Sequence, residues 1–348
     1  MTISGADLPW LPLNNGTKIP PFGMGCWMGE AGGGKVVEDM VTSALKVGYR
    51  HFDTVRVLNA LLSGAYVVAP MSLMVQAAGY DNEEHVGAAI RKSGIPREDI
   101  YVTTKLWFDH GGRVRERFDE SFEKLGLEYI DLYLMHWPFV EKDERVLPPD
   151  ESPTLIDTYK EMEKLLETGK VKSIGVSNFS TTTLNRLLPH CKVIPVTNQV
   201  EVHPYLPQHG LQKFCESHGI LVTAYSPLGQ PPSPEKQKAV PALFSDATVT
   251  ALSKKYTATN AQVLISWCIQ RGLICISKSA NLERMKNNFT LLKLDDADMQ
   301  ILNNLHKEPG KHRQLIIYQS SKPREAFGAK YEWLGWNRDA EGNVLDDE

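Results

Sequence analysis

An α/β chain closing into a (β/α)8 TIM barrel is the fold this sequence predicts, with a β-hairpin ahead of the barrel and an irregular tail behind it. Three observations carry the prediction. Eight short apolar runs alternate with amphipathic stretches, the pattern of a parallel sheet with helical crossovers. The chain has 348 residues, which accommodates a barrel of ~250 residues with insertions. Chemically capable side chains stand where apolar runs stop, and barrels carry their chemistry at the C-terminal ends of strands.

The segment LPLNNGTKIP reads as a hairpin turning at Asn15-Gly16, placed to close the bottom of the barrel. The strands follow at 21–25, 49–54, 100–106, 130–136, 171–177, 196–202, 220–226 and 273–278. Between them, 36–48 has helical spacing and ends at Gly48, which suits a left-handed cap. The stretch 81–94 opens with an acidic turn that favours a helix N-terminus. Helices are also expected at 114–126, 154–169 and 259–272, each ending in glycine. Residues 230–257 read as a Pro-rich loop and an extra helix. Residues 1–308 are expected to form the barrel. The remainder, 309–348, reads as an irregular, aromatic tail with Tyr318, Phe327, Tyr331, Trp333 and Trp336.

Composition excludes several function classes. The net charge is −4 and basic residues form no run, so a nucleic-acid partner is not expected. Five cysteines and no C-x-x-C argue against a disulfide framework or structural zinc and fit a reducing compartment. The first residues lack the basic and apolar regions of a secretory signal. A cytoplasmic monomer without a metal, a nucleic acid or a membrane partner is the expectation.

Asp53 in HFDT, Tyr80 in GYDNEEHVG, Lys105 in TTKLW and His136 in LMHWP together suit reduction of a carbonyl, which needs a hydride on carbon and a proton on oxygen. Free tyrosine titrates near ~10. A nearby ammonium favours the phenolate and lowers that value, a role for Lys105. Asp53 keeps Lys105 charged and aimed, and His136 bonds and orients the carbonyl oxygen. Singly, each has a plainer reading: Lys105 as an ordinary strand end or a Schiff-base lysine, His136 as a packed histidine, Asp53 as a helix cap.

These motifs, with GxWM at 25–28, GVSNF, NQVEVHP, AYSPLG and ISKSANLERMKNN, make the chain resemble the aldo-keto reductases over roughly residues 17–305, and its tail resembles fungal members. The resemblance implies a nicotinamide cofactor bound without a Rossmann fold and a catalytic set of Asp53, Tyr80, Lys105 and His136, with Tyr80 as acid. Ser177, Asn178 and Gln199 are implied at the nicotinamide carboxamide, Tyr225 stacked on its ring, and Ser226 and Leu228 along the pyrophosphate. Lys278 and Arg284 supply two cations where barrels favour a phosphate, which points to NADP(H) over NAD(H). Ser279 joins them by analogy, and Asn287 and Asn288 face the adenine. Trp27 and Trp107, with His136, are implied to wall the substrate pocket, to which the tail contributes. The implied activity is reversible NADPH-dependent reduction of aldehydes and ketones; the alternatives are an inert cofactor-binding isoform and a Schiff-base aldolase.

One segment departs from the family pattern. Family members keep four residues between the aspartate and the tyrosine, whereas 26 lie between Asp53 and Tyr80. Removing the 22 residues 55–76 leaves HFDT-AAGYDNEEHVG and restores the spacing. Valine codons begin with GT and a glutamine codon ends with AG, so the segment can begin and end as an intron does, in frame. A retained intron or gene-model error is the reading, ahead of an active-site lid or a membrane helix, which needs ~20 mostly apolar residues.

Overall fold

The computed structural model describes residues 2–27, 34–54, 82–229, 242–316, 324–338 and 344. Eight strands form a closed parallel barrel: β1 (Phe22–Gly25), β2 (His51–Asp53), β3 (Tyr101–Leu106), β4 (Ile130–Met135), β5 (Val171–Ser177), β6 (Thr197–Glu201), β7 (Leu221–Tyr225) and β8 (Ile274–Ser277). Each pairs with the next, and Cys275 of β8 lies opposite Phe22 of β1 to close the ring. All eight expected strands are present, trimmed at their ends by up to two residues.

The outer helices are α1 (Gly34–Val47), α2 (Glu83–Lys92), α3 (Val114–Leu125), α4 (Leu155–Leu165), α5 (Thr181–Leu187), α6 (His209–Ser217), α7 (Ala247–Lys255), α8 (Asn260–Gln270), α9 (Leu282–Asn288) and α10 (Asp296–Asn303). Their boundaries follow local chemistry. Thr154 with Asp157, and Thr259 with Gln262, form reciprocal capping boxes at α4 and α8, satisfying N–H groups that a helix start leaves unpaired. Gly126 ends α3 in the left-handed conformation that only glycine adopts without a Cβ penalty. The expected helix at 154–169 ends early as α4, and its last turn tightens into a 3-10 helix over Leu166–Thr168. Helices α5 and α6, two of the crossovers that the eightfold alternation calls for, and α10 have no clear helical signal of their own; they are short, and propensity summed over so few residues is a weak signal.

The hairpin closes the bottom. Leu11–Pro12 pairs with Lys18–Ile19, and Leu13 and Ile19 pack on Tyr101, Leu132, Leu134, Val196, Ile274 and Ile276. Asn14 Nδ2 donates to Pro195 O and Gly219 O, and Asn15 Nδ2 to Lys172 O, tying the turn to chain ahead of β6 and β7 and to β5. A second closure had no signal in the sequence: Thr2–Ser4 pairs antiparallel with Thr290–Leu292. Because α7 and this added ladder cover α8, its residues 261–268 are all buried. In the tail, Glu325–Ala326 and Ala329–Lys330 form a small hairpin followed by a helical turn, Tyr331–Leu334. The loop at 230–241, the segment 55–81 with Tyr80, and Tyr318 lie outside the described residues.

Candidate active site

The strand ends at the top of the barrel gather the polar side chains. Asp53 is the last residue of β2, Lys105 the fifth of six in β3, and His136 follows β4 directly. Because β2 and β3 are neighbours in parallel register, the lysine reaches across to the aspartate. Lys105 Nζ stands 2.5 Å from Asp53 Oδ1 with both side chains buried, and it also donates to Thr54 O at 3.0 Å. The other carboxylate oxygen of Asp53 accepts from Gln199 Nε2 at 2.7 Å. A buried ion pair is stable only when such extra bonds satisfy its remaining lone pairs, and Thr54 and Gln199 supply them.

His136 lies near enough to this pair to feel the charge of Lys105. Burial, and then the charge of Lys105, hold its imidazole well below the ordinary 6.5, so it is neutral at physiological pH. Trp107 packs its ring edgewise at 4.8 Å. The Nδ1 atom of His136 is buried and has no hydrogen-bond partner among the described residues. Asn178 Nδ2 donates to His136 O at 2.9 Å, and Tyr225 OH donates to Asn178 Oδ1 at 2.7 Å. Ser177 Oγ donates to Gln199 O at 2.8 Å. Ser177, Asn178, Gln199 and Tyr225, expected around one ring, thus belong to a single network that also includes Asp53 and His136. Ser226 takes a left-handed backbone (φ 50°) just beyond β7, and Leu228 packs partly buried on the core.

Lys278 follows β8, and Ser279 is buried beside it. Loss of solvation and then repulsion from Arg284 lower the Lys278 pKa. Two neighbouring cations, neither in an ion pair among the described residues, are what an anionic group such as a phosphate would neutralise, so these residues fit a 2′-phosphorylated dinucleotide. Asn281 caps α9 by accepting from Arg284 N at 2.9 Å. Asn288 is buried, while Asn287 beside it is exposed.

Trp27 is half-buried just beyond β1. Trp107 belongs to an aromatic cluster with Phe108, Trp137 and Phe139 to which the tail adds Phe327, Tyr331, Trp333 and Trp336. Phe327 reaches 5.7 Å from Trp107 and 5.4 Å from Trp137.

Of the four expected catalytic residues, Asp53 and Lys105 stand on β2 and β3 and His136 directly follows β4, whereas Tyr80 falls in sequence between β2 and α2 and lies outside the described residues. Reading the sequence alone passed over the groups flanking that segment. Thr54 Oγ1 donates to Asn82 Oδ1 at 2.5 Å, Asn82 Nδ2 to Cys26 O at 2.7 Å, and Thr104 Oγ1 to Glu83 Oε1 at 2.6 Å. Thr54, Asn82 and Glu83 are buried. The polar letters are visible in HFDT and DNEE, but only the fold reveals that Thr54 bonds Asn82 across the segment and that Glu83 accepts from Thr104 of β3.

Fold and strand-end chemistry together define a barrel oxidoreductase. The family model for the Aldo/keto reductase family matches residues 23–307, and the chain belongs to that family. It is 39% identical to aldehyde reductase YPR1 of Saccharomyces cerevisiae over 331 residues, 90% of this chain and 96% of that protein. It is 37% identical to the glycerol 2-dehydrogenase (NADP(+)) of the same yeast, over 91% of this chain and 96% of that one. Among solved structures, a Bombyx mori aldo-keto reductase (AKR2E4) in complex with NADP superposes with a TM-score of 0.74 at 35% identity, covering 89% of this chain and 95% of that chain.

Proposed function

We propose that this protein catalyses NADPH-dependent, reversible reduction of aldehydes and ketones to alcohols, with Tyr80 as general acid, Lys105 and Asp53 tuning it, and His136 orienting the carbonyl. The observation that carries the reading is the buried Asp53–Lys105 pair beside a neutral His136. Bound NADPH supplies the hydride. An ammonium fixed at the strand ends favours the ionised form of a phenol brought to it, and so makes that phenol a better proton donor at neutral pH. Asp53 holds the ammonium in place, and Gln199 and Thr54 O hold the pair. A neutral imidazole bonds a carbonyl oxygen without competing for the proton that Tyr80 delivers. The same pair weighs against the Schiff-base alternative, because a lysine bonded as an ammonium to a carboxylate is no nucleophile.

Ser177, Asn178, Gln199 and Tyr225 are assigned to the nicotinamide end of the cofactor, and Ser226 and Leu228 to its pyrophosphate. Lys278, Ser279, Arg284, Asn287 and Asn288 are assigned to its phosphorylated adenosine. Trp27 and Trp107 wall the pocket, and the tail beyond 308 completes it through the aromatic cluster. A cytosolic monomer agrees with five free thiols and with few large exposed apolar side chains, Ile3, Val36, Phe244, Leu282 and Ile301, among the described residues. No helix among the described residues is long and apolar enough to cross a membrane.

The test is NADPH oxidation with a generic aldehyde, followed by absorbance, in the native chain and in Tyr80→Phe and Lys105→Met. Each variant should lose about 10²–10⁴ in kcat while still quenching NADPH fluorescence on binding. A Tyr80→Phe variant that turns over at the native rate would overturn the assignment of the acid.

A further inference from the structure

One acid at the strand ends has no part in the chemistry above. Glu201 ends β6, two residues beyond Gln199, and is 4% exposed. Its Oε1 accepts from Leu315 N at 2.5 Å and Ile316 N at 3.1 Å, and meets His203 Nε2 at 2.9 Å. Its Oε2 is also buried and has no hydrogen-bond partner among the described residues. Burying a carboxylate is costly unless it is hydrogen-bonded, and the β6 backbone does not need it, being already in register with β7 through Glu201 and Tyr225. What the carboxylate satisfies is the backbone of residues 311–316, which lie in neither helix nor strand.

Two further ties hold that segment. Lys311 Nζ lies 2.7 Å from the buried Asp246 Oδ2, and Arg313 N donates to Tyr205 O at 3.1 Å. On one side Leu315 lies so close to Gly229, in the turn after β7, that a Cβ there would come within 2.8 Å of it. On the other side Gln314 Oε1 accepts from Arg338 Nη1 at 3.2 Å. The Arg338 guanidinium lies 3.7 Å from the centre of the Tyr331 ring, and Tyr331 packs in the cluster that contains Trp107. A continuous set of contacts therefore runs from the Glu201 carboxylate to the aromatic wall beside His136.

We propose that Glu201 is a positioning residue whose carboxylate clamps segment 311–316 and thereby sets the C-terminal aromatic wall of the carbonyl pocket. The kinetic part of this inference rests on the reductase reading; the clamp itself does not. Among the described residues only one carboxylate oxygen is engaged, so Glu201→Gln keeps the acceptor and Glu201→Ala removes it. In the full chain, Glu201→Ala should speed amide hydrogen exchange at Leu315 and Ile316, and Glu201→Gln should exchange like the native protein. With a bulky aromatic aldehyde, Glu201→Ala should raise KM by about tenfold with kcat within about twofold, the pattern of lost binding rather than lost chemistry. Ile316→Pro removes one donor from the tail and leaves β6 untouched; it should raise KM in the same direction, which keeps the test decisive if Glu201→Ala does not fold. Unchanged exchange in Glu201→Ala, or Glu201→Gln exchanging as fast as Glu201→Ala, overturns the clamp. A fall in kcat at constant KM overturns the positioning role. Absence of reductase turnover in both the native chain and the chain lacking 55–76 sinks the reductase reading instead, and exchange then decides the clamp alone.

Discussion

Deleting residues 55–76 should give a more stable and far more active enzyme. The flanks of the long segment are already fixed to each other. Thr54 and Asn82 share a hydrogen bond, Asn82 bonds Cys26 O, and Lys105 bonds Thr54 O. Two side chains joined by one hydrogen bond place their Cα atoms within roughly 9 Å, and five extended residues span about 17 Å. Residues 77–81, which the deletion leaves, can therefore make the connection without disturbing its base. Shortening the loop from 27 residues to 5 lowers its closure cost by about 1.5 kcal/mol, since that cost grows as 3/2 RT ln n. Tyr80 would then be two residues from an anchored Asn82 and five from Asp53. Because misplacing a reacting group by about an ångström costs about 10²-fold, specific activity should rise by up to about that factor. Urea unfolding and NADPH oxidation with one aldehyde, run on both chains, measure the two effects. Equal specific activity, or a deletion less stable than the parent, would refute the reasoning and identify 55–76 as a working part of the protein.

Other perturbations follow from particular contacts. His110 is buried, and burial, then Arg117 and Arg113, push its pKa down to about 3 from 6.5. Below pH 6.5 the unfolded chain takes up this proton and the folded chain does not, so His110 costs stability as pH falls. The stability of His110→Gln relative to the parent should rise by about 1.4 kcal/mol per pH unit from pH 6 to 4; a flat difference in urea midpoints would count against it. An ideal Cβ on Gly87 in α2 would lie 1.9 Å from Leu125 O at the end of α3, so Gly87→Ala should destabilise by about 1–3 kcal/mol. A variant melting at the parent temperature would show that the two helices separate freely. Arg284→Met should weaken NADPH about tenfold by removing a charge-assisted contact and leave NADH nearly unchanged; equal losses for both, measured by fluorescence titration, would remove Arg284 from the phosphate site.

The sequence alone determined the barrel and most of its chemistry, because both depend on local pattern. A parallel strand buried on both faces must be a short apolar run, and the break in apolarity after it marks the end at which Asp53, Lys105, His136 and Lys278 emerge. Strand positions at 22–25 and 274–277 could thus be read within two residues, although they meet only when the barrel closes. Tertiary structure decided what depends on distant partners. No local signal pairs Thr2–Ser4 with Thr290–Leu292, since an edge hydrogen bond leaves no periodicity in either segment. Nor does NQVEVHP reveal that Glu201 serves the backbone of residues 115 positions away rather than the chemistry of its neighbour Gln199. A carboxylate's role is set by the N–H groups the fold brings to it, and those of Leu315 and Ile316 belong to a tail whose own letters specify no element at all.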